Sequence, residues 1–287
     1  MTRQAWEALS FRLVFGTVAT LTALVLVFPT IVILVLSFNA EPSLRFPPTA
    51  YSFRWYAALL VANEIQAAAW VSLQVAVVAV LGSVVLGVAA SLAIARNQTL
   101  AARLLDTVFM SPLLLPALAF GFASLMLFSR LGVPPSLVTL AIGHVVISVP
   151  FVMRTTLASL SQLDPALGDC SASLGAGAVR TFRRITLPLI APGVVSGAFI
   201  AFMASFDNVP VSLFLQDART QVLPIHLWFS ATKLGGSLPA ASFRYYLPIW
   251  PFMAHAVAFG VASGGTWVRW GITGIAGAAL VAGWASP

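Results

Sequence analysis

Few residues of this 287-residue chain could do chemistry, and Asp207 is the foremost. It lies within the hydrophobic run 193–215 and is followed by Asn208. A charge inside a bilayer is costly and usually faces a cavity or a partner, so a functional role is the default hypothesis. Two interpretations stay open: Asp207 attracts a cation along a pathway, or it hydrogen-bonds to Asn208 or to a neighbouring helix.

The other candidates for catalysis or metal binding are isolated. His144 is better explained as a packing residue or an interhelical hydrogen-bond donor, while His226 and His255 are too dispersed to suggest a metal site. A single cysteine, Cys170, excludes an internal disulfide and a cysteine-based metal cluster. The chain has no G-x-x-x-x-G-K-S/T phosphate loop. We therefore expect no catalytic residue and no bound cofactor, and energy from ATP would have to come through a partner.

Composition points to an integral membrane protein, with 60% hydrophobic residues, 8% charged residues and a mean hydropathy of +0.97. A helix needs roughly 20 apolar residues to cross about 30 Å of hydrocarbon. The chain is thus predicted to be an all-α, polytopic bundle of about six transmembrane helices. The net charge of +7 could suggest nucleic acid. Membrane lipid and topology explain the scattered basic residues better, and we expect no nucleic acid.

Five hydrophobic runs predict crossings, and a sixth is less regular. They are residues 13–38, 65–95, 109–128, 136–153 and 193–215, with the sixth at 245–267. We expect Pro112 and Pro116 to kink the third crossing without breaking it, and Arg154 to close the fourth. Gly193 and Gly197 form a small-xxx-small pair that suits close helix contact.

The distribution of basic residues predicts a cytoplasmic N-terminus. This orientation puts the loop of residues 163–192, with its arginine cluster, on the cytoplasmic side. The polar loop of residues 39–63 then lies outside, where the aromatic residues of 51–56 predict a short interfacial helix.

The loop of residues 163–192 is unusually structured for a connection between crossings. Asp164 and Pro165 are typical of a helix start, and Gly175 stands where a helix would end in a left-handed residue. One apolar stripe runs through Leu163, Ala166, Leu167, Cys170 and Leu174.

A second short helix is predicted at 178–186, ended by Leu187-Pro188. One face of this helix is basic and the other is apolar: the basic face carries Arg180, Arg183 and Arg184, and the apolar face carries Val179, Phe182 and Ile185. Physics alone leaves contact with anionic lipid and docking of a partner at even odds.

The spacing within this loop resembles a known motif, the "EAA" loop of ABC importer permeases, written EAA-x3-G-x9-I-x-L-P. The matching positions are Asp169, Cys170, Ser171, Gly175, Ile185, Leu187 and Pro188. The resemblance implies a type I importer permease in a bacterial inner membrane, whose loop docks into a cytoplasmic ABC ATPase dimer that hydrolyses ATP. It also implies a second permease subunit and an external, periplasmic solute-binding protein.

The first three motif positions depart from the family pattern. Asp169 replaces glutamate and keeps the charge on a shorter stem, while Cys170 and Ser171 replace two alanines and stay small. We interpret Cys170 as a packing residue rather than a reactive thiol.

Segments 205–215 and 223–228 look like spermidine/putrescine permeases, which implies polyamine uptake. The same broad group includes importers of iron and phosphonates.

We expect the permease domain at 13–236, with its core at 65–236 and a poorly matched membrane segment at 237–287. A secondary transporter is a weaker alternative, because no internal repeat or set of carboxylates is evident. An embedded enzyme is also weaker, because Asp207 is nearly isolated.

Overall fold

The computed structural model describes residues 3–41, 45–96, 99–217 and 219–233, and helices dominate these ranges, which confirms the all-α class. In chain order they are α1 (Arg3–Ser37), α2 (Arg54–Val61), α3 (Asn63–Arg96), α4 (Leu100–Leu114), α5 (Ala117–Arg130), α6 (Leu137–Leu160), α7 (Ala166–Ser173), α8 (Ala178–Thr181), a π-turn (Phe182–Thr186), α9 (Leu187–Phe206), α10 (Val209–Leu215) and α11 (Leu223–Lys233). The described residues form two compact units, one with residues up to Asn63 and 227–233, the other with Glu64–His226.

Within the described ranges, four helical spans are long and apolar enough to cross a membrane. They are Leu13–Ser37, Asn63–Ala95, Leu137–Leu160 and Ala178–Phe206, and α4 with α5 makes a fifth if this bent pair counts as one span. The predicted positions of the first and second crossings are confirmed, as is the predicted start of the fourth. The predicted sixth crossing at 245–267 lies outside the described residues.

The third crossing is broken, so the predicted simple kink is wrong. Helices α4 and α5 meet at an angle of 108°. Leu115 between them is extended, with φ −88° and ψ 141°, because the ring of Pro116 disfavours a helical conformation in the residue before it. Pro112, by contrast, lies inside α4 without ending it. The pair also begins earlier than predicted, where the Thr99 side chain accepts a hydrogen bond from the Ala102 N–H.

The fourth crossing does not close at Arg154, as predicted, but continues to Leu160 as α6. Its start is fixed by a capping box in which Ser136 and Thr139 exchange side-chain and backbone hydrogen bonds. Arg154 projects from the helix, and its guanidinium lies 3.6 Å from the Asp106 carboxylate on α4. The basic residue thus pairs with a neighbouring helix instead of marking a helix end.

Helix α6 is the most buried of the crossing helices, because glycines on its neighbours let backbones approach closely. A Cβ atom at Gly197 of α9 would stand 2.7 Å from Val152 Cα, and one at Gly193 would stand 2.7 Å from the Thr155 carbonyl oxygen. On the α3 side, a Cβ atom at Gly87 would stand 3.1 Å from the Met153 nitrogen. The predicted small-xxx-small contact at Gly193 and Gly197 is confirmed.

The loop before α2 is organised by aromatic residues within the first unit. Trp55 donates from Nε1 to the Asn39 carbonyl at 2.9 Å. The Phe38 ring lies 5.3 Å from the Phe53 ring and 5.3 Å from the Tyr56 ring, centroid to centroid. These contacts set the start of α2, the short helix that the aromatic residues predicted.

Candidate coupling loop and helix break

Helix α7 begins and ends as its sequence predicts. Asp164 Oδ1 accepts a hydrogen bond from the Ala166 N–H at 2.9 Å. At the other end Gly175 is left-handed, with φ +76°. The Gly175 N–H bonds to the Ala172 carbonyl at 2.9 Å and the Ala176 N–H to the Ser171 carbonyl at 3.1 Å. This bonding pattern is a Schellman motif, and it turns the chain sharply after α7.

Most of the α7 surface is uncovered. Leu174 is 88% exposed, Asp169 and Cys170 are exposed, and a Cβ atom at Gly168 would have no neighbour within 4 Å. Most of the predicted apolar stripe therefore faces outward, although Leu163 is half-buried. Ser171 is the exception, because it is buried. An uncovered helix that carries both apolar and acidic side chains can pack against another protein.

Ser171 ties α7 to α8 through its side chain. Its Oγ lies 2.8 Å from Thr181 Oγ1, and Thr181 Oγ1 lies 3.3 Å from the Gly177 carbonyl oxygen. When Thr181 donates to that carbonyl, the Ser171 hydroxyl donates to Thr181. The alanine that the motif has at this position could not form such a bond.

The predicted break at Leu187-Pro188 is wrong. The chain stays helical from Ala178 to Phe206, because a π-turn precedes the proline. There the Leu187 N–H bonds to the Phe182 carbonyl, five residues back. Proline lacks an N–H and its ring crowds the preceding turn, and the wider π-turn accommodates both effects. The motif residues Leu187 and Pro188 are exposed, and Ile185 is half-buried.

The faces of the predicted second helix are only partly as expected. Arg180, Arg183 and Arg184 are all exposed. On the opposite side Phe182 is half-buried, but Val179 is 72% exposed. Val179 therefore adds to the apolar surface beside α7 rather than to the interior.

Asp207 and Asn208 lie at a helix break, so the predicted continuous fifth crossing at 193–215 is wrong. Asp207 follows the last residue of α9 with φ −104° and ψ 13°. The Asn208 side chain accepts a hydrogen bond from the Val211 N–H at 2.9 Å and thereby caps α10. Asn208 starts α10 because its amide oxygen satisfies a backbone donor of the first turn that would otherwise be free. Both side chains are half-buried.

His144 joins the two sides of this break. Its Nδ1 lies 2.8 Å from Ser205 Oγ at the end of α9, and its Nε2 lies 3.0 Å from Ser212 Oγ in α10. The imidazole is 1% exposed. The predicted interhelical hydrogen bond is confirmed, and its partners Ser205 and Ser212 lie on either side of Asp207 in the sequence. The two serines were missed because neither has a distinguishing sequence pattern.

Asp217 organises the turn after α10. Its Oδ1 accepts hydrogen bonds from the Thr220 hydroxyl at 2.8 Å and from the Arg219 N–H at 2.8 Å. The bond from the Thr220 side chain is the main cause that holds the pKa of this carboxyl below its ordinary value.

Comparison with known proteins assigns the family. The model of the family "Binding-protein-dependent transport system inner membrane component" matches residues 83–263. The chain belongs to this family. It is a multi-pass inner-membrane protein, a transport subunit of the permease class and not the ATPase. The match ends within the segment that we set apart at 237, and the domain boundary at 236 stays a prediction.

Individual relatives agree with this assignment. The spermidine/putrescine transport system permease protein PotC of Escherichia coli (strain K12) is 30% identical over 228 residues, which is 79% of this chain and 85% of PotC. The putrescine transport system permease protein PotI of the same strain is 28% identical over 214 residues, 72% of this chain and 75% of PotI. Among solved structures, a bacterial ABC transporter involved in the import of the acidic polysaccharide alginate has the same fold. Its TM-score is 0.64 at 14% identity, with 91% of this chain and 97% of that one covered.

Proposed function

We propose that this permease forms half of a transmembrane solute pathway and is coupled to a separate ATPase through residues 163–192. The observation that carries the proposal is the uncovered α7, which presents Asp169 and Cys170 and is joined by a tight turn to a helix that continues through the span Ala178–Phe206. A helix that was only a connection would gain by burying its apolar residues. The contacts between α7 and α8 give movement of α7 a route to that long helix.

The coupling role implies the rest of the complex. ATP is hydrolysed by a cytoplasmic ABC ATPase dimer, and this chain binds no cofactor of its own. A second permease subunit supplies the other half of the pathway, because one coupling loop serves one ATPase subunit. An external solute-binding protein delivers the solute. The N-terminus is cytoplasmic, so that residues 163–192 face the ATPase.

A labelling experiment tests the coupling role, because Cys170 is the single cysteine of the chain and is exposed on α7. The permease complex is purified in nanodiscs with and without its ATPase and treated with a maleimide. We expect Cys170 to be labelled freely without the ATPase and to be protected when the ATPase is bound. A Cys170→Ser variant gives the background. Equal labelling in both states, or failure of any ATPase to copurify, would refute the proposal.

The solute class we propose is a polyamine. Similarity to PotC and PotI supports it, and so does the position of Asp207 at a helix break, where half-buried carboxylate and backbone groups can meet a cation. The break, rather than the middle of a helix, is where a membrane protein can expose polar backbone to a solute.

The polyamine proposal is tested with the reconstituted complex and its binding protein. We expect spermidine or putrescine to stimulate ATP hydrolysis, whereas a ferric chelate or a phosphonate does not. Asp207→Asn should lower polyamine uptake about tenfold with normal assembly, because a lost charge contact at a partly buried site costs about 1–2 kcal/mol. Unchanged uptake would remove Asp207 from the pathway, and stimulation by another solute class would replace the polyamine.

A further inference from the structure

The connection between α7 and α8 is held at few points. The two helices are joined by residues 174–177, and a Cβ atom at Gly175 or Gly177 would have no neighbour within 4 Å. Such a segment turns the chain but gives little resistance to a change of angle. Any force applied to α7 needs a second connection to reach the long helix efficiently.

The hydrogen bond between Ser171 and Thr181 supplies that connection. Ser171 is 5% exposed on a helix that is otherwise open to solvent. Its backbone carbonyl closes the Schellman turn with Ala176 at 3.1 Å, while its hydroxyl reaches Thr181 at 2.8 Å. Ser171 is therefore bonded both to the connection of residues 174–177 and to α8.

Thr181 is placed where a displacement would enter the transmembrane span. It is the last residue of α8, directly before the π-turn at Phe182–Thr186. From there the helix continues without interruption to Phe206, beside Asp207 and the break. A rotation of α7 would thus be transmitted to the wide, adaptable turn of this helix.

We propose that the Ser171–Thr181 hydroxyl pair determines how tightly ATP hydrolysis is coupled to transport. The pair acts by fixing the angle between α7 and α8, so Ser171 and Thr181 are positioning residues and need no contact with the ATPase or the solute. This inference rests on the proposed coupling role of residues 163–192. To that role it adds a hydrogen bond that alanine, the residue that the family motif has at position 171, could not make. This bond compensates for the departure of Asp169-Cys170-Ser171 from the family pattern.

The test measures solute transported per ATP hydrolysed in reconstituted complexes. We expect Ser171→Ala and Thr181→Val each to lower this ratio about fivefold, the effect of losing one hydrogen bond of about 1 kcal/mol. The double variant should be no worse than either single variant, since both remove the same bond. Thr181→Ser keeps the hydroxyl and should restore the ratio. Ser161→Ala is the matched control, because Ser161 lies outside residues 163–192 and its exposed hydroxyl donates to the Ala158 carbonyl of its own turn at 2.8 Å.

Three results would overturn the inference: an unchanged ratio in Ser171→Ala, additive losses in the double variant, or an equal loss in Ser161→Ala. If Ser171→Ala fails to bind the ATPase, Thr181→Val decides, because Thr181 lies outside α7. Failure of the wild-type complex to bind any ATPase would contradict the coupling role itself. An altered ratio in an intact complex bears on the hydroxyl pair alone.

Discussion

At the scale of single residues, His144 is the polar group on which the helix break depends. A neutral imidazole has one donor and one acceptor nitrogen, and here each nitrogen has a serine hydroxyl within 3.0 Å. Ser205 and Ser212 lie on opposite sides of Asp207. Without the imidazole, both hydroxyls would lose a partner in a region where water does not easily replace it.

We therefore predict that His144→Ala lowers the free energy of unfolding by about 2–4 kcal/mol, from two lost hydrogen bonds and the cavity that remains. Thermal unfolding in detergent measures the change. Thr107→Ala is a suitable control, since the exposed Thr107 hydroxyl bonds only to the Arg103 carbonyl of its own helix. Equal melting temperatures for His144→Ala and wild type would show that the pair of hydrogen bonds contributes nothing to stability.

At the scale of elements, the turn after α7 depends on a backbone conformation that proline cannot adopt. Gly175 has φ +76°, whereas the proline ring fixes φ near −65°. We predict that Gly175→Pro reduces ATP-dependent uptake to background while membrane insertion stays normal. Gly132 has φ +71° and equally open surroundings, and under the proposed orientation it lies on the opposite side of the membrane. Uptake by Gly132→Pro should exceed that of Gly175→Pro when equal amounts of inserted protein are compared. If the two variants transport alike, the α7 turn has no special part in coupling.

The contact between α6 and α9 also depends on the absence of side chains. We predict that Gly197→Val lowers the free energy of unfolding by about 1–3 kcal/mol, because even its Cβ would approach Val152 Cα to 2.7 Å. Gly16→Val serves as the comparison, since a Cβ atom at Gly16 meets nothing within 4 Å. Urea or thermal unfolding of both variants separates close packing from the general effect of replacing a helical glycine. Similar losses in the two variants would contradict the packing argument.

At the scale of the whole molecule, one long helix connects the loop to the helix break. The span Ala178–Phe206 has 29 residues, which is about 40 Å at roughly 1.5 Å per residue. Thr181 lies near its first end and Ser205, bonded to His144, near its last. The two polar contacts thus lie about a membrane thickness apart, which suits a helix that relays movement between them.

The orientation of the chain gives a test at this scale. We predict that a membrane-impermeant maleimide labels Cys170 in inside-out vesicles stripped of the ATPase and not in intact cells, because the proposed orientation places residues 163–192 in the cytoplasm. Cys170 is the native and single cysteine, so no engineered reporter is needed. Permeabilised cells that lack the ATPase show that the Cys170 thiol reacts when the maleimide can reach it. Labelling of intact cells would reverse the topology and remove the loop from any cytoplasmic ATPase.

Much of the architecture could be predicted from the sequence alone, because hydrophobic length and backbone conformation are local properties. Runs of apolar residues predicted the spans, and the left-handed Gly175 and the cap at Asp164 follow from residue type. The motif spacing indicated the permease family.

Tertiary structure decided the features that depend on neighbouring residues. The break at Leu115-Pro116 and the helix that continues past Pro188 both contain proline, and packing and a π-turn determined which one interrupts the span. Likewise the bond of Ser171 to Thr181 joins two separate helices, and the bonds of His144 to Ser205 and Ser212 join residues 61 and 68 positions apart. No local pattern specifies such pairs, because a hydroxyl has many possible partners until folding brings one within reach.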